Sequence, residues 1–371
     1  MNRILFLTHS LIGDRSFGGA IRANAIRDAL LKNGQVDTLI IHGGTEFGLD
    51  QQWDERRARN ARVSVYGFSQ RALAQRRAVR RWIDEIITLG AYDHIIVQYL
   101  DLATLVPRDW RSLIIYDPDD FMKTAPAGGV RSLPGRAKIA LRNAIALRVA
   151  RQAGHVWYVN PADRPLPPND NRSELPNIVG MPSPERPRAS VVPGRILMVG
   201  HLLHGPNVDG LRWFAANVLS QLNAARSEVQ LHVIGRHAQD LPAQLPQVIF
   251  HGYVDDIGIE YDKAGVVIAP VLSGAGTQIK VIDALAHGRP LITSSFAYSG
   301  FAECLRDREH LLVARSAEDW SQLVIWALIH QREAELMAQA GEEVVSKKFG
   351  QHRMDQGVSE TLQAFSSRRP R

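Results

Sequence analysis

Short apolar runs alternating with stretches of helical period organise most of this chain. RILFLTHS (3–10), VDTLIIHG (36–43), YDHIIVQY (92–99) and SLIIY (112–116) are rich in the aliphatic residues found in strands buried on both faces of a parallel sheet. Between the first two, IRANAIRDALLKNG has helical period and ends at Gly34, after a loop LIGDRSFGGA that holds Gly13, Gly18 and Gly19. The same order restarts at Arg195, with strand RILMVG, loop HLLHGPNVDG, helix LRWFAANVLSQL and strand VQLHVIG. Residues 161–193, rich in Pro, Asn, Ser and Arg and without a sustained period, read as the region containing an interdomain linker. The pattern predicts two doubly wound α/β domains, 1–180 and 181–349, with helices filling 317–366.

Residues 266–295, VVIAPVLSGAGTQIKVIDALAHGRPLITSS, form the most sharply patterned unit. A buried strand (VVIAP) runs into a glycine loop, then a helix on which Ile279, Ile282 and Ala286 share a face, then a second strand (LITSS). Thr277 can cap the helix start, and Gly288 with Pro290 marks its end. This is one βαβ unit whose helix N-terminus stands beside the carboxyl end of a strand, where free N–H groups favour an anion. Gly274 and Gly276 allow close approach of a ligand to the backbone at Thr277 and Gln278. Lys280 supplies a full positive charge, and Asp283, three residues on, could accept both hydroxyls of a ribose. The spacing alone equally allows an exposed ion pair between Lys280 and Asp283.

GAGTQIKVIDALAHGRPLITS resembles the donor-binding signature of GT-B glycosyltransferases, specifically the retaining enzymes of glycosyltransferase family 4, or group 1. Of that signature's two glutamates the second, which holds the ribose, falls on Asp283, and the first falls on Ala275. A branch with a G-x-G-T-x-x-K pattern dispenses with the first and uses the lysine, here Lys280, for the diphosphate. GHLLHGPNVDGLRWF resembles the same branch through Gly200, Pro206, Asn207, Asp209, Trp213 and Phe214, with Gly200, His201 and Asn207 lining the donor cleft. The arginine and lysine that many relatives place in this loop are missing, which throws more of the diphosphate charge onto Lys280. Arg236 falls where relatives approach the nucleotide, and Gly300 and Phe301 fall on a loop that closes over the donor sugar. The resemblance implies a GT-B architecture, two Rossmann-like domains facing across a cleft, with a last helix, about 350–371, packing back on the first. It implies a retaining, metal-independent sugar transfer from a UDP- or GDP-linked donor to a glycan or lipid-linked acceptor, in bacterial cell-surface polysaccharide or glycoconjugate synthesis. No cofactor is expected. A nucleotide-sugar epimerase or phosphorylase on the same fold remains an alternative.

In the first domain the resemblance places Gly18, Gly19 and Arg22 in the cleft, with Arg22 near a phosphate or the acceptor. Asp117-Pro118-Asp119-Asp120 follows a strand and has three readings: a proline turn, a metal-binding Asp-x-Asp, or a catalytic or acceptor-orienting role for Asp119 or Asp120 at the strand end. His201, His204, His232 and His237 lack the accompanying Glu or Cys of a zinc site.

Composition sharpens the picture in two ways. A single cysteine, Cys304, excludes an internal disulfide framework, and the opening MNRILFLTHS reads as a first strand and not a signal peptide, so the expected location is cytoplasmic. Charge is uneven: residues 1–180 hold 25 Lys and Arg against 18 Asp and Glu, and residues 181–371 hold 19 against 20. Arg71, Arg76, Arg77, Arg80 and Arg81 on one helix, and Arg136, Lys138, Arg142, Arg148 and Arg151 on a second, read either as solvated faces or as surfaces for anionic lipid, which would make the protein peripheral on the inner membrane face. An adaptor binding lipid or nucleic acid through this basic face is the non-enzymatic alternative; no nucleic-acid motif accompanies the charge, and nucleic acid is not expected as a partner.

Overall fold

A computed structural model describes residues 2–13, 18–42, 58–62, 70–119, 133–159, 171–183, 185–225, 228–274 and 277–367. Asp120 and Gly276 therefore lie outside the described residues, as do the side chain of Arg71 and much of the Pro-rich segment. The chain divides into two compact units, one drawn from Met1–Ala125, Val130–Asn177 and His352–Arg371, the other containing Ile178–Gln351.

The first unit runs β1 (Asn2–Thr8), α1 (Gly18–Leu31), β2 (Gly34–His42), β3 (Ala58–Arg62), α2 (Gln70–Gly90), β4 (His94–Gln98), α3 (Leu100–Leu105), a 3-10 turn (Arg108–Leu113), β5 (Ile114–Asp117), α4 (Leu133–Gln152), β6 (His155–Tyr158) and β7 (Arg172–Glu174). Its described strands form one parallel sheet in the order β3-β2-β1-β4-β5-β6-β7. The order reverses between β1 and β4, so crossover helices diverge there and leave an opening at the strand carboxyl ends. Ile4, Phe6, Ile96 and Ile115 are fully buried, as strands covered on both faces require.

The second unit repeats the design with β8 (Arg195–Val199), α5 (Gly205–Phe214), a π turn (Ala215–Leu219), α6 (Ser220–Ala225), β9 (Gln230–Ile234), α7 (Leu241–Gln244), β10 (Val248–Gly252), α8 (Ile257–Lys263), β11 (Val266–Ala269), α9 (Ile279–Ala286), β12 (Leu291–Ser294), α10 (Ser295–Ser299), β13 (Leu312–Ala314), α11 (Ala317–Ile329) and α12 (Gln331–Phe349). Its parallel sheet reads β10-β9-β8-β11-β12-β13, reversing between β8 and β11. The last helix, α13 (Gln351–Ser367), lies mainly in the first unit, where the Trp157 indole on β6 donates to the Thr361 hydroxyl at 2.9 Å and Ser366 meets His94 at 3.2 Å.

Three local expectations are corrected. Gly18 and Gly19 belong to the first turn of α1 and not to a loop. The PNVDG stretch is helical, because Pro206 fits the first turn of α5, where its missing N–H costs nothing. Within the Pro-rich segment, Arg172–Glu174 pairs with β6, and Leu175 through Val179 are buried.

Candidate functional site

The switch point of the second sheet gathers the predicted donor residues. The β8 end delivers Gly200 and His201, the first turn of α5 delivers Asn207, and the loop after β11 leads through Gly274 to Lys280 on α9. The Lys280 ammonium donates to Asn207 Oδ1, and Asn207 Nδ2 donates to the His201 carbonyl at 2.9 Å. A side chain at position 200 would press into this arrangement: its Cβ would lie 3.3 Å from Asn207 Nδ2 and 3.4 Å from Lys280 Nζ. Gly235 closes the same end of the sheet at φ +133°, where a Cβ would fall 1.9 Å from the Gly200 carbonyl oxygen. Gly274 adopts φ +139° beside Pro206, a backbone conformation that L side chains rarely take.

Asp283 stands one turn beyond Lys280 and is partly buried. The Tyr261 hydroxyl of α8 donates to its Oδ2 at 2.7 Å, and the Tyr261 ring stacks on His287 at 4.3 Å between centroids. Burial lifts the Asp283 carboxyl to about 6, with the Tyr261 hydrogen bond pulling the other way. Burial likewise lowers Lys280 to about 8. The two do not pair with each other, so the exposed ion pair that their spacing allowed is not what they form. Each partly buried charge instead leans on a neutral neighbour. The result is a cation and an anion on one helix face, each with hydrogen-bonding capacity left for a ligand.

Two expectations around this helix are corrected. Gln278, not Thr277, is the residue before its first turn, and no side-chain cap forms there; the Thr277 hydroxyl is buried without a partner. Phe301 is 1% exposed and packed edge-on against Phe349 at 5.8 Å between centroids, so its side chain belongs to the core and is not presented to a donor sugar. Arg236 is exposed with its guanidinium 5.7 Å from the centre of the Tyr253 ring.

The first sheet's switch point holds a second polar group. Arg22 is 1% exposed and bonds Asp117 through Nε and Nη2 at 2.7–3.1 Å, the Leu175 carbonyl at 2.9 Å and Asn177 Oδ1 at 3.1 Å. This overturns its assignment to a phosphate: α1 starts three residues earlier than the glycine loop suggested and turns Arg22 inward, where an unpaired charge would be prohibitive. Asp117, spent on that pair, is not open to a metal ion. Asp119 is half-buried at φ +58°, and its charge is felt by Arg22 and Tyr99. Among the described residues no three His, Cys, Asp or Glu converge as a metal site.

The sequence reading missed His9. Its Nδ1 faces the Ile41 carbonyl, its Nε2 faces Asp101, and its ring stacks on Tyr99 at 5.4 Å, while Tyr99 in turn bonds Ser10 at 2.9 Å. Both nitrogens meet acceptors, an arrangement that favours the doubly protonated ring. Burial opposes that charge, but the hydrogen bond and charge of Asp101 outweigh it and raise the histidine above its ordinary value. The available signal was positional: His9 follows the first strand, at the switch point.

The fold is GT-B. Sucrose-phosphate synthase from Thermosynechococcus elongatus superposes with a TM-score of 0.74 over 99% of this chain and 100% of its own at 13% identity. HepE of Anabaena in complex with UDP-glucose gives 0.71 over 98% and 100%, also at 13%. A TarM variant of S. aureus, in complex with fondaparinux, alpha-GlcNAc-glycerol and UDP, gives 0.69 over 99% and 100% at 10%. Residues 193–330, which contain the Lys280 and Asp283 site, match the family described as Glycosyl transferases group 1. No curated protein sequence matches the chain.

Proposed function

We propose that the protein is a glycosyltransferase that moves a sugar from a UDP- or GDP-linked donor to a glycan or lipid-linked acceptor, with retention of configuration and without a metal ion. The observation that carries this reading is Lys280 and Asp283 beside the β8/β11 switch point, held by the neutral Asn207 and Tyr261 and not by each other. Lys280, held by Asn207, takes the charge that develops on the departing diphosphate, joined by backbone N–H groups at Thr277 and Gln278. Asp283, steadied through one oxygen by Tyr261, accepts the ribose hydroxyls with the other. Gly200 and Gly274 keep the floor of the site clear. Asp119 is the residue of the first sheet proposed to face the reacting sugar or its acceptor. The match of residues 193–330 and the UDP and UDP-glucose bound by the two relatives above support a nucleotide-sugar donor. The same proposal places the transfer in bacterial surface-glycan synthesis, on the cytoplasmic side of the membrane.

Thermal unfolding with uridine, guanosine and adenosine diphosphates and their sugars tests this on wild type, Asp283→Ala and Lys280→Ala, with and without a chelator. Ligand at a hundred times its dissociation constant stabilises by about 2.7 kcal/mol. A base-selective shift that survives the chelator and disappears in both variants is expected. No shift with any nucleotide would overturn the reading, and a shift abolished by the chelator would overturn metal independence. Product analysis without acceptor distinguishes transfer from epimerisation.

A further inference from the structure

A buried titratable side chain beside the donor site, His287, has no part in the proposed chemistry. It is 9% exposed and caps the C-terminal end of α9, where its backbone N–H donates to the Asp283 carbonyl at 3.2 Å. It therefore stands one turn from Asp283 on the same helix face. Its Nδ1 is buried without a hydrogen-bond partner, and its face lies against the Tyr261 ring with 18° between the planes. Burial and the charges of Arg186 and Arg188 outweigh those of Asp262 and Asp256 and lower His287 to about 4, so at neutral pH it is an uncharged ring.

Tyr261 is fixed from both sides along its own helix. It is fully buried on α8, a helix of seven residues, between two acids that are each tied to a different element. Glu260 bonds Arg195 of β8 and, at 3.0 Å, Lys263. Asp262 accepts from Arg186 at 2.8 Å and from the Ala189 N–H at 3.1 Å, both in the segment that leads into β8. These ties set the rotation of α8 about its axis, and with it the direction in which Tyr261 leaves. The His287 ring then limits the swing of the tyrosine, whose hydroxyl arrives at Asp283 Oδ2. Burial and the facing carboxylate raise Tyr261 well above its ordinary value, so the hydroxyl keeps its proton and donates. Burial and this hydrogen bond are the two influences on the Asp283 carboxyl; of the charges nearby, Lys280 turns to Asn207, and Glu260 and Asp262 to their arginines.

We propose that Tyr261 and His287 are positioning residues for the donor site: His287 holds the Tyr261 ring, and the Tyr261 hydroxyl holds Asp283 in the orientation, and in the ionised form, that receives a ribose. That a ribose is what arrives rests on the proposed sugar transfer. A hydrogen bond donated to a carboxylate favours its charged form, so without the Tyr261 hydroxyl Asp283 keeps its proton to higher pH. A tyrosine that merely fills space leaves no such mark.

Calorimetric titration with uridine and guanosine diphosphates from pH 5 to pH 9 tests this on wild type, Tyr261→Phe, His287→Ala and His287→Phe. Loss of one hydrogen bond to a charged group moves a carboxyl by about one pH unit. The acid limit of binding should therefore rise from about pH 6 in wild type to about pH 7 in Tyr261→Phe. Affinity of the variant is then about fivefold below wild type at pH 6 and within about twofold of it at pH 8. His287→Ala should move the limit the same way by a smaller amount, and His287→Phe, which restores a ring face, should bring it back. A loss in Tyr261→Phe that is equal at every pH, an unmoved limit in His287→Ala, or His287→Phe no better than His287→Ala overturns the proposal. A second readout needs no nucleotide. In urea unfolding across pH, the fall in stability that Asp283 causes from about pH 4 to about pH 6 should continue to about pH 7 in Tyr261→Phe, and should vanish from both when Asp283→Asn is added. A wild type that binds no nucleotide while Tyr261→Phe shows this extension would refute sugar transfer alone; nucleotide binding without the extension would refute the positioning role alone.

Discussion

The opposite shifts of Asp283 and Lys280 set a pH window for donor binding. Asp283 must be ionised to accept ribose hydroxyls, and Lys280 must be protonated to meet the diphosphate; they titrate at about 6 and about 8 in the free protein. Each departs from its ordinary value by about 2 pH units, a differential of about 3 kcal/mol. The linkage runs in opposite senses. The folded state holds the Asp283 proton more tightly than the unfolded chain, so stability falls as pH rises from about 4 to about 6. It holds the Lys280 proton less tightly, so stability rises between about 8 and about 10.5. Between these limits both groups are charged, and the site is least comfortable without ligand. A nucleotide sugar, whose phosphates stay ionised throughout, should therefore bind best between pH 6 and 8. One pH unit beyond either limit its affinity should drop about tenfold, about 1.4 kcal/mol. Calorimetric titration from pH 5 to pH 9 measures this directly. Asp283→Asn should flatten the acid limb and Lys280→Met the alkaline limb, each with a lower plateau. A flat wild-type profile, or an acid limb that persists in Asp283→Asn, would refute the reasoning.

Arg22→Met leaves Asp117 buried without its partner and should destabilise the first unit by about 3–5 kcal/mol in urea unfolding, with nucleotide affinity per folded molecule unchanged. Gly235→Ala places a methyl against the Gly200 carbonyl at a φ that alanine resists; it should cost about 2–3 kcal/mol and, unlike Arg22→Met, abolish the nucleotide-induced thermal shift. Thr361→Val strips the acceptor from the buried Trp157 indole and should cost about 1–3 kcal/mol, read as a lower Tm. Because Asp101 raises the pKa of His9, that pair stabilises fully below about pH 6.5 and loses its contribution as pH climbs through the raised value; Asp101→Asn should remove that slope in denaturant titrations across pH.

The strands that organise both units were legible because each is a short aliphatic run with no polar face to misplace. The βαβ unit around Lys280 was equally legible: the change from buried strand to helical period, with glycines at the junction, leaves few other local structures open. Helix starts were harder. A glycine pair can open a loop or enter a first turn, and only packing decided that Gly18 and Gly19 are helical, which in turn drove Arg22 inward to Asp117, 95 residues away in sequence. His9 and Asp101 meet across 92 residues, a distance that no local period encodes. The terminal helical pattern showed that α13 forms, but its Trp157 contact depends on where β6 stands in the sheet. The chain by itself determined its elements, their parallel pairing and the charged residues available for a phosphate, because these depend on neighbours in sequence and on side-chain type. Tertiary structure alone decided which charges are spent on each other and which stay open. Lys280 could have paired with Asp283 on one helix face; Asn207 and Tyr261, brought in from other helices, instead hold the two apart as separate charges.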